Sequence, residues 1–181
     1  MHTPEQIAAW KRVTAGVHAK GAKMFMQFMH CGRIAHPLNR QITDAPVAPS
    51  AIRPAGQMWT DQAQMQDYPE PRALTTAELP GVIQEFVTAA RNAIAAGFDG
   101  VELHAANGYL LNQFLASNTN QRTDGYGTTL NGRIRFVVET VEAVASAIGA
   151  ARTGIRLSPG HMFNDLVDAN PIETHLALLQ A

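Results

Sequence analysis

Apolar residues recur at helical spacing in four places along the chain and gather into short runs in three others. Ile7, Trp10, Val13 and Val17 mark the first helical face, and Leu79, Val82, Ile83, Phe86, Ala90, Ala93 and Ile94 the second. Ile134, Val137, Val138, Val141, Val144 and Ile148 mark a third within about Asn131–Ile148. Ile172, Leu176 and Leu179 begin a fourth after Asn170-Pro171. Capping boxes are expected at Thr3-Pro4-Glu5-Gln6 and at Thr75 with Glu78. Gly21, Gly97 and Gly149 stand where helices end.

The three apolar runs are Lys23–His30, Phe98–Leu103 and Thr153–Ser158, short enough to be strands buried on both faces. The order is α-β-loop-α-β-α-β-α, which predicts a parallel sheet with right-handed crossovers. Each strand carries polar residues on one parity: Gln27 beside Met29, Glu102 and His104, Arg156 and Ser158. Polar strand ends of this kind suit the C-terminal mouth of a (β/α)8 barrel. Such a barrel needs eight strands and about 250 residues. The expected fold class is therefore α/β, a partial (β/α)8 TIM barrel of about three parallel strands with flanking helices. Pro37–Arg72 has no clear period and is expected to be a surface excursion with a short hairpin over the mouth of the sheet.

Composition adds exclusions. With 46% hydrophobic and 16% charged residues, the chain is ordinary globular protein. A net charge of −1 without a basic run argues against nucleic acid and against an anionic membrane surface. No apolar stretch approaches a membrane span and no signal peptide stands out, so a cytoplasmic location is the default expectation. The single cysteine, Cys31, excludes an internal disulfide and a thiolate-held cluster. His30, His36 and His161 lack the tight spacing of metal ligands, so no metal is expected.

The chemistry concentrates between Phe98 and Tyr126. His104, Asn107 and Tyr109 fall within six residues; if residues 105–110 turn helically, His104 and Asn107 stand side by side and can donate to one substrate oxygen. Tyr109, a phenol, can deliver a proton. Gln27 and Arg156 offer an amide and a planar guanidinium fork to a flat heterocycle with edge carbonyls. Plainer readings stand beside these: Glu102 and Arg156 as a buried ion pair, Gln27 as a core amide, and Arg122 with Asp124 as a loop salt bridge.

LHAANGYLLNQF, then NQRTDGYG and IRLSP, with QFMHCGR and AHP upstream, resemble the Old Yellow Enzyme family of FMN-dependent ene-reductases. The resemblance covers nearly the whole chain in order. It implies a (β/α)8 barrel with FMN at its C-terminal mouth, using NAD(P)H to reduce activated alkenes, enones and nitro compounds among them. It implies that Gln27 and Arg156 contact the pyrimidine edge of the isoalloxazine ring. His104 and Asn107 would hold the substrate oxygen, and Tyr109 would protonate the carbon opposite hydride attack. Met29 stands where many members carry an aromatic, which alters the substrate pocket. Thr128-Thr129-Leu130-Asn131-Gly132-Arg133 departs from the usual GSxENR. The single cysteine speaks against the iron–sulfur branch.

By this likeness residues 1–181 form one incomplete domain, barrel strands three to five, with the phosphate-binding loops outside it. The competing expectation is a truncated barrel piece without independent catalysis, needing a complementing chain and prone to self-association through exposed barrel edges.

Overall fold

The computed structural model describes residues 3–40 and 43–181. In chain order the elements are α1 (Pro4–His18), β1 (Phe25–Phe28), α2 (Pro37–Arg40), β2 (Val47–Ala48), β3 (Gln57–Thr60), β4 (Gln64–Asp67) and β5 (Arg72–Ala73). They continue with α3 (Leu79–Ala95), β6 (Gly100–Ala105), α4 (Leu110–Leu115), α5 (Leu130–Ile148), β7 (Thr153–Leu157) and α6 (Pro171–Gln180). The three expected strands form one sheet in the order β1-β6-β7, with β1 parallel to β6 and Gln27 registered on Glu102. The chain divides into two compact units. One holds the residues up to Phe28, Pro80–His104 and Glu139–Arg156; the other holds Met29–Leu79, Ala105–Val138 and Leu157–Ala181.

In the first unit the strands alternate as expected, but β1 and β7 are not buried on both faces: one parity of each is exposed. Val101 and Leu103 of β6 are fully buried, as are Ala90 and Ala93 of α3 and Val144 of α5. Burying each Val or Leu contributes roughly 1.5–3 kcal/mol, enough to fix the register of β6. The opposite parity, with Phe25, Gln27 and Arg156, is exposed.

α1 starts in the expected capping box, with both Thr3–Gln6 hydrogen bonds formed. Its buried residue, however, is Thr14, while Trp10 and Val13 of the expected apolar face are 37% and 47% exposed. The Thr14 hydroxyl donates to Ala96 O at 2.8 Å. Trp10 still meets Phe98, with ring centroids 5.4 Å apart. Gly97 sits at φ 87°, and a Cβ there would come within 2.7 Å of Thr14 Oγ1. Only glycine suits both the angle and the approach.

The second unit is built on α4, which periodicity did not separate from the polar stretch around it. Every α4 residue is buried, and Phe114 stacks on Phe136 with centroids 4.1 Å apart. The excursion contains the expected hairpin, β3 antiparallel to β4. It is closed by a second, unexpected pairing of β2 with β5, in parallel. Residues 41 and 42 of the excursion lie outside the described residues.

Two helix expectations need correction. At Thr75 the box is not reciprocal: its hydroxyl and its N–H both donate to Glu78 Oε2 at 2.8 Å, and α3 begins only at Leu79. The carboxylate is a better acceptor than the hydroxyl, so it draws both donors. On α6 the expected apolar face is exposed (Ile172 72%, Leu179 68%), while Thr174 and His175 are buried. Among the described residues no helix is long and apolar enough to cross a membrane.

Candidate functional site

On the open face of the first unit's sheet, one carboxylate gathers the two residues expected to face a heterocycle. Gln27 Nε2 donates to Glu102 Oε2 at 2.5 Å. Arg156 donates through Nε to Oε2 at 2.9 Å and through Nη2 to Oε1 at 3.3 Å. β6 lies between β1 and β7, so Glu102 reaches a neighbour on either side. The ion pair expected of Glu102 and Arg156 is therefore present but not buried, since their side chains are 28% and 55% exposed. Gln27 is not a core amide either; it is exposed. The Arg156 hydrogen bonds, with the guanidinium charge adding to them, hold the Glu102 carboxyl below its ordinary range. The pair uses the Nε and Nη2 side of the guanidinium and leaves Nη1 outside it.

His104, two residues further along β6, is buried at 6% exposure. Burial pushes its pKa down, the Arg156 charge adds to that, and Glu102 opposes it. A pKa below the ordinary 6.5 keeps the imidazole neutral at pH 7, an N–H donor on one nitrogen and an acceptor on the other.

Asn107 and Tyr109 belong to the second unit, and the backbone that carries them is not the helical turn expected. β6 continues to Ala105, Asn107 takes φ 56° and Gly108 φ 79°, and α4 begins only at Leu110 with Tyr109 as its N-cap. All four backbone polar groups of this two-residue turn are held by side chains. Asn107 N donates to Ser158 Oγ at 3.0 Å, and Asn107 O accepts from Asn164 Nδ2 at 2.9 Å. Gly108 N donates to Asn112 Oδ1 at 2.9 Å, and Gly108 O accepts from Gln113 Nε2 at 2.7 Å. A turn outside helix and strand must find such partners, because an unmatched buried peptide group is costly. A Cβ on Gly108 would come within 2.7 Å of Phe163 O, so the position admits only glycine.

Gln113 extends this support. Its Nε2 also donates to Cys31 O at 3.2 Å and its Oε1 accepts from Arg33 N at 3.2 Å. The segment after β1 and the turn after β6 thus share one fully buried amide. Asn112, Gln113 and Asn164 were not recognised from the chain pattern. The signal for the first two was there, as two amides inside the buried run LLNQFL. Tyr68 was invisible in the excursion; burial first, and then Tyr109, push its phenol pKa up.

Met29 is 48% exposed at the end of β1. The expected Arg122–Asp124 salt bridge is present at 2.5 Å. Arg122 also donates to Pro49 O at 3.0 Å and to Leu74 O, so it ties the excursion to the loop before α5. Its hydrogen bonds hold the Asp124 carboxyl far below the usual carboxylate range, with Thr76 and Tyr126 N helping.

Known proteins resemble this chain in sequence and in fold. The chain is 45% identical over 172 residues to 12-oxophytodienoate reductase 1 of Oryza sativa subsp. japonica, covering 95% of this chain and 44% of that one. It is 43% identical over 175 residues to a Leishmania infantum protein called "Probable flavin mononucleotide-dependent alkene reductase", covering 94% and 48%. Among solved structures, the old yellow enzyme homologue from Zymomonas mobilis superposes with a TM-score of 0.92 at 38% identity, covering 97% of this chain and 49% of that one. The chain thus spans about half the length of the relatives it matches, and its α/β fold is part of a TIM barrel. The family model described as NADH:flavin oxidoreductase / NADH oxidase matches residues 1–180, and the chain belongs to that family.

Proposed function

We propose that this chain carries the cofactor-edge and substrate-activating residues of an FMN-dependent oxidoreductase that uses NAD(P)H to reduce activated alkenes, enones or nitroalkenes. The observation that carries the reading is the Gln27–Glu102–Arg156 cluster. An amide and a guanidinium, aligned by one carboxylate on an exposed sheet face, fit a flat ring edge bearing carbonyl oxygens and ring nitrogens. FMN, when bound, supplies the hydride-transfer chemistry.

The chain's own residues supply the rest. Gln27 and Arg156 donate to the ring edge, and Glu102 keeps both side chains in place. His104 and Asn107, three residues apart, donate to the carbonyl or nitro oxygen of the substrate. Their hydrogen bonds strengthen as negative charge develops on that oxygen, which lowers the barrier. The Tyr109 phenol gives its proton to the alkene carbon next to the activating group. Met29 lines the substrate side. The Leishmania infantum relative, whose name reads "Probable flavin mononucleotide-dependent alkene reductase", supports the reaction class.

The test is an anaerobic FMN titration of the purified chain, followed by flavin fluorescence. Arg156→Ala removes charged hydrogen bonds and is expected to weaken binding at least about tenfold. Saturable binding unchanged in Arg156→Ala and Gln27→Ala, or no binding by a folded sample, would overturn the cofactor assignment. Tyr109→Phe is expected to slow alkene reduction while leaving reduction of the flavin by NADPH intact. Equal loss of both steps would overturn the proton-donor role.

A further inference from the structure

The second unit holds a partly open cavity of about 210 Å³ whose polar groups the proposed reaction does not use. A water occupies about 30 Å³ of the liquid, so one bridging water does not account for this space. Two buried side chains in its lining carry polar atoms with no hydrogen-bond partner among the described residues. They are both carboxylate oxygens of Asp168, whose side chain is 6% exposed, and Nε2 of His175, also 6% exposed. His175 Nδ1 lies 2.7 Å from Pro171 O. A carbonyl oxygen only accepts, so Nδ1 carries a proton, and the tautomer with its proton there offers Nε2 as an acceptor.

The lining offers donors as well. Asn112 spends Oδ1 on Gly108 N, which leaves its amide N–H groups; Ser158 Oγ accepts from Asn107 N and keeps its own O–H to donate. Charge decides between ligand classes. Arg133 Nη2 stands 3.9 Å from Asp168 Oδ1, close enough to balance its charge but too far for a hydrogen bond. Arg133 is held there by its Nε donating to Leu115 O at 2.9 Å. A second cation beside Asp168 would face that guanidinium. Acceptors and donors in a charge-balanced cavity with apolar walls such as Leu115 and Leu166 match hydroxyl groups, which both donate and accept.

We propose that this cavity binds a small neutral polyol bearing at least three neighbouring hydroxyls. Two O–H groups donate to the two Asp168 oxygens and a third donates to His175 Nε2. The site shares no residue with the Gln27–Glu102–Arg156 cluster, so its test does not depend on flavin binding.

The experiment is an NMR titration of the purified chain with erythritol, read on the His175 imidazole nitrogens. Saturable movement of the Nε2 resonance is expected, with none for n-butanol or n-butylammonium at equal concentration. Asp168→Asn is expected to weaken erythritol at least about tenfold. Met162→Trp, at a lining position that is 74% exposed, should block the cavity while sparing the fold, and is expected to abolish the shift. No saturable shift, tighter binding of n-butylammonium, or an unchanged shift in Met162→Trp would overturn the proposal.

Discussion

Gln113→Met tests whether a single buried amide holds the candidate turn. The substitution conserves volume closely, so packing alone costs less than about 1.5 kcal/mol. What it removes is three hydrogen bonds: to Gly108 O, to Cys31 O and from Arg33 N. Cys31 O also accepts from Ile34 N at 3.1 Å and keeps a partner. Gly108 O and Arg33 N are the groups left unmatched, each at a cost of about 1–3 kcal/mol. A loss of about 3 kcal/mol is the working figure, since a carbonyl tolerates a missing partner better than an N–H does. At about 2–4 °C per kcal/mol for a chain of this size, Tm should fall by about 6–12 °C. Urea unfolding should show a lower midpoint with an unchanged slope. Amide exchange at Arg33 should speed up. Gln113→Glu provides the contrast: it keeps an acceptor for Arg33 N but sets a carboxylate beside two carbonyl oxygens at 0% exposure. It should be worse than Met at pH 7 and recover partly as the pH falls. A Gln113→Met midpoint corresponding to less than about 1 kcal/mol would refute the reasoning.

Three further outcomes follow from the same geometry. Thr14→Val strips Ala96 O of its hydroxyl donor and should cost about 1–3 kcal/mol in urea unfolding, whereas replacing exposed Val13 by Thr should cost little. Glu102→Gln should change stability by no more than about 1 kcal/mol, because the pair is solvent-screened, yet weaken FMN in the fluorescence titration; unaltered FMN affinity would remove Glu102 from the positioning role. Glu78 titrates at about 2, held down by the Arg72 hydrogen bond and then by Thr75, so the stability it contributes is present above its ordinary 4.5 and disappears as the pH falls through about 2. The difference between wild type and Glu78→Gln in thermal melts should therefore shrink across that window, and a difference that grows toward low pH would contradict the assignment.

The chain by itself determined the strands and the long helices. Val101, Leu103, Val137 and Val144 are apolar at the right period, and burial of that side is the largest local force acting on them. The Thr3–Gln6 capping box was legible because it is entirely local. The parity that turns Gln27, Glu102 and Arg156 to one face was also legible, since period-two alternation needs no tertiary information. The pairing of Glu102 with Arg156 was legible too, but Gln27 joining the same carboxylate was not, because it depends on β6 lying between β1 and β7, a fact of strand order. Tertiary packing also overruled local pattern on α1 and α6, where Thr14 and His175 are buried while Trp10 and Ile172 are not; periodicity shows that a helix has an apolar stripe but not how far its neighbours cover it. Whether residues 105–110 turn helically was left open by the local pattern, and at Asn107–Gly108 they do not. The left-handed backbone there is sustained by Ser158, Asn112, Gln113 and Asn164, two of them some fifty residues away along the chain. Local sequence proposes the elements, and hydrogen bonds between residues distant in sequence decide where the reactive side chains stand.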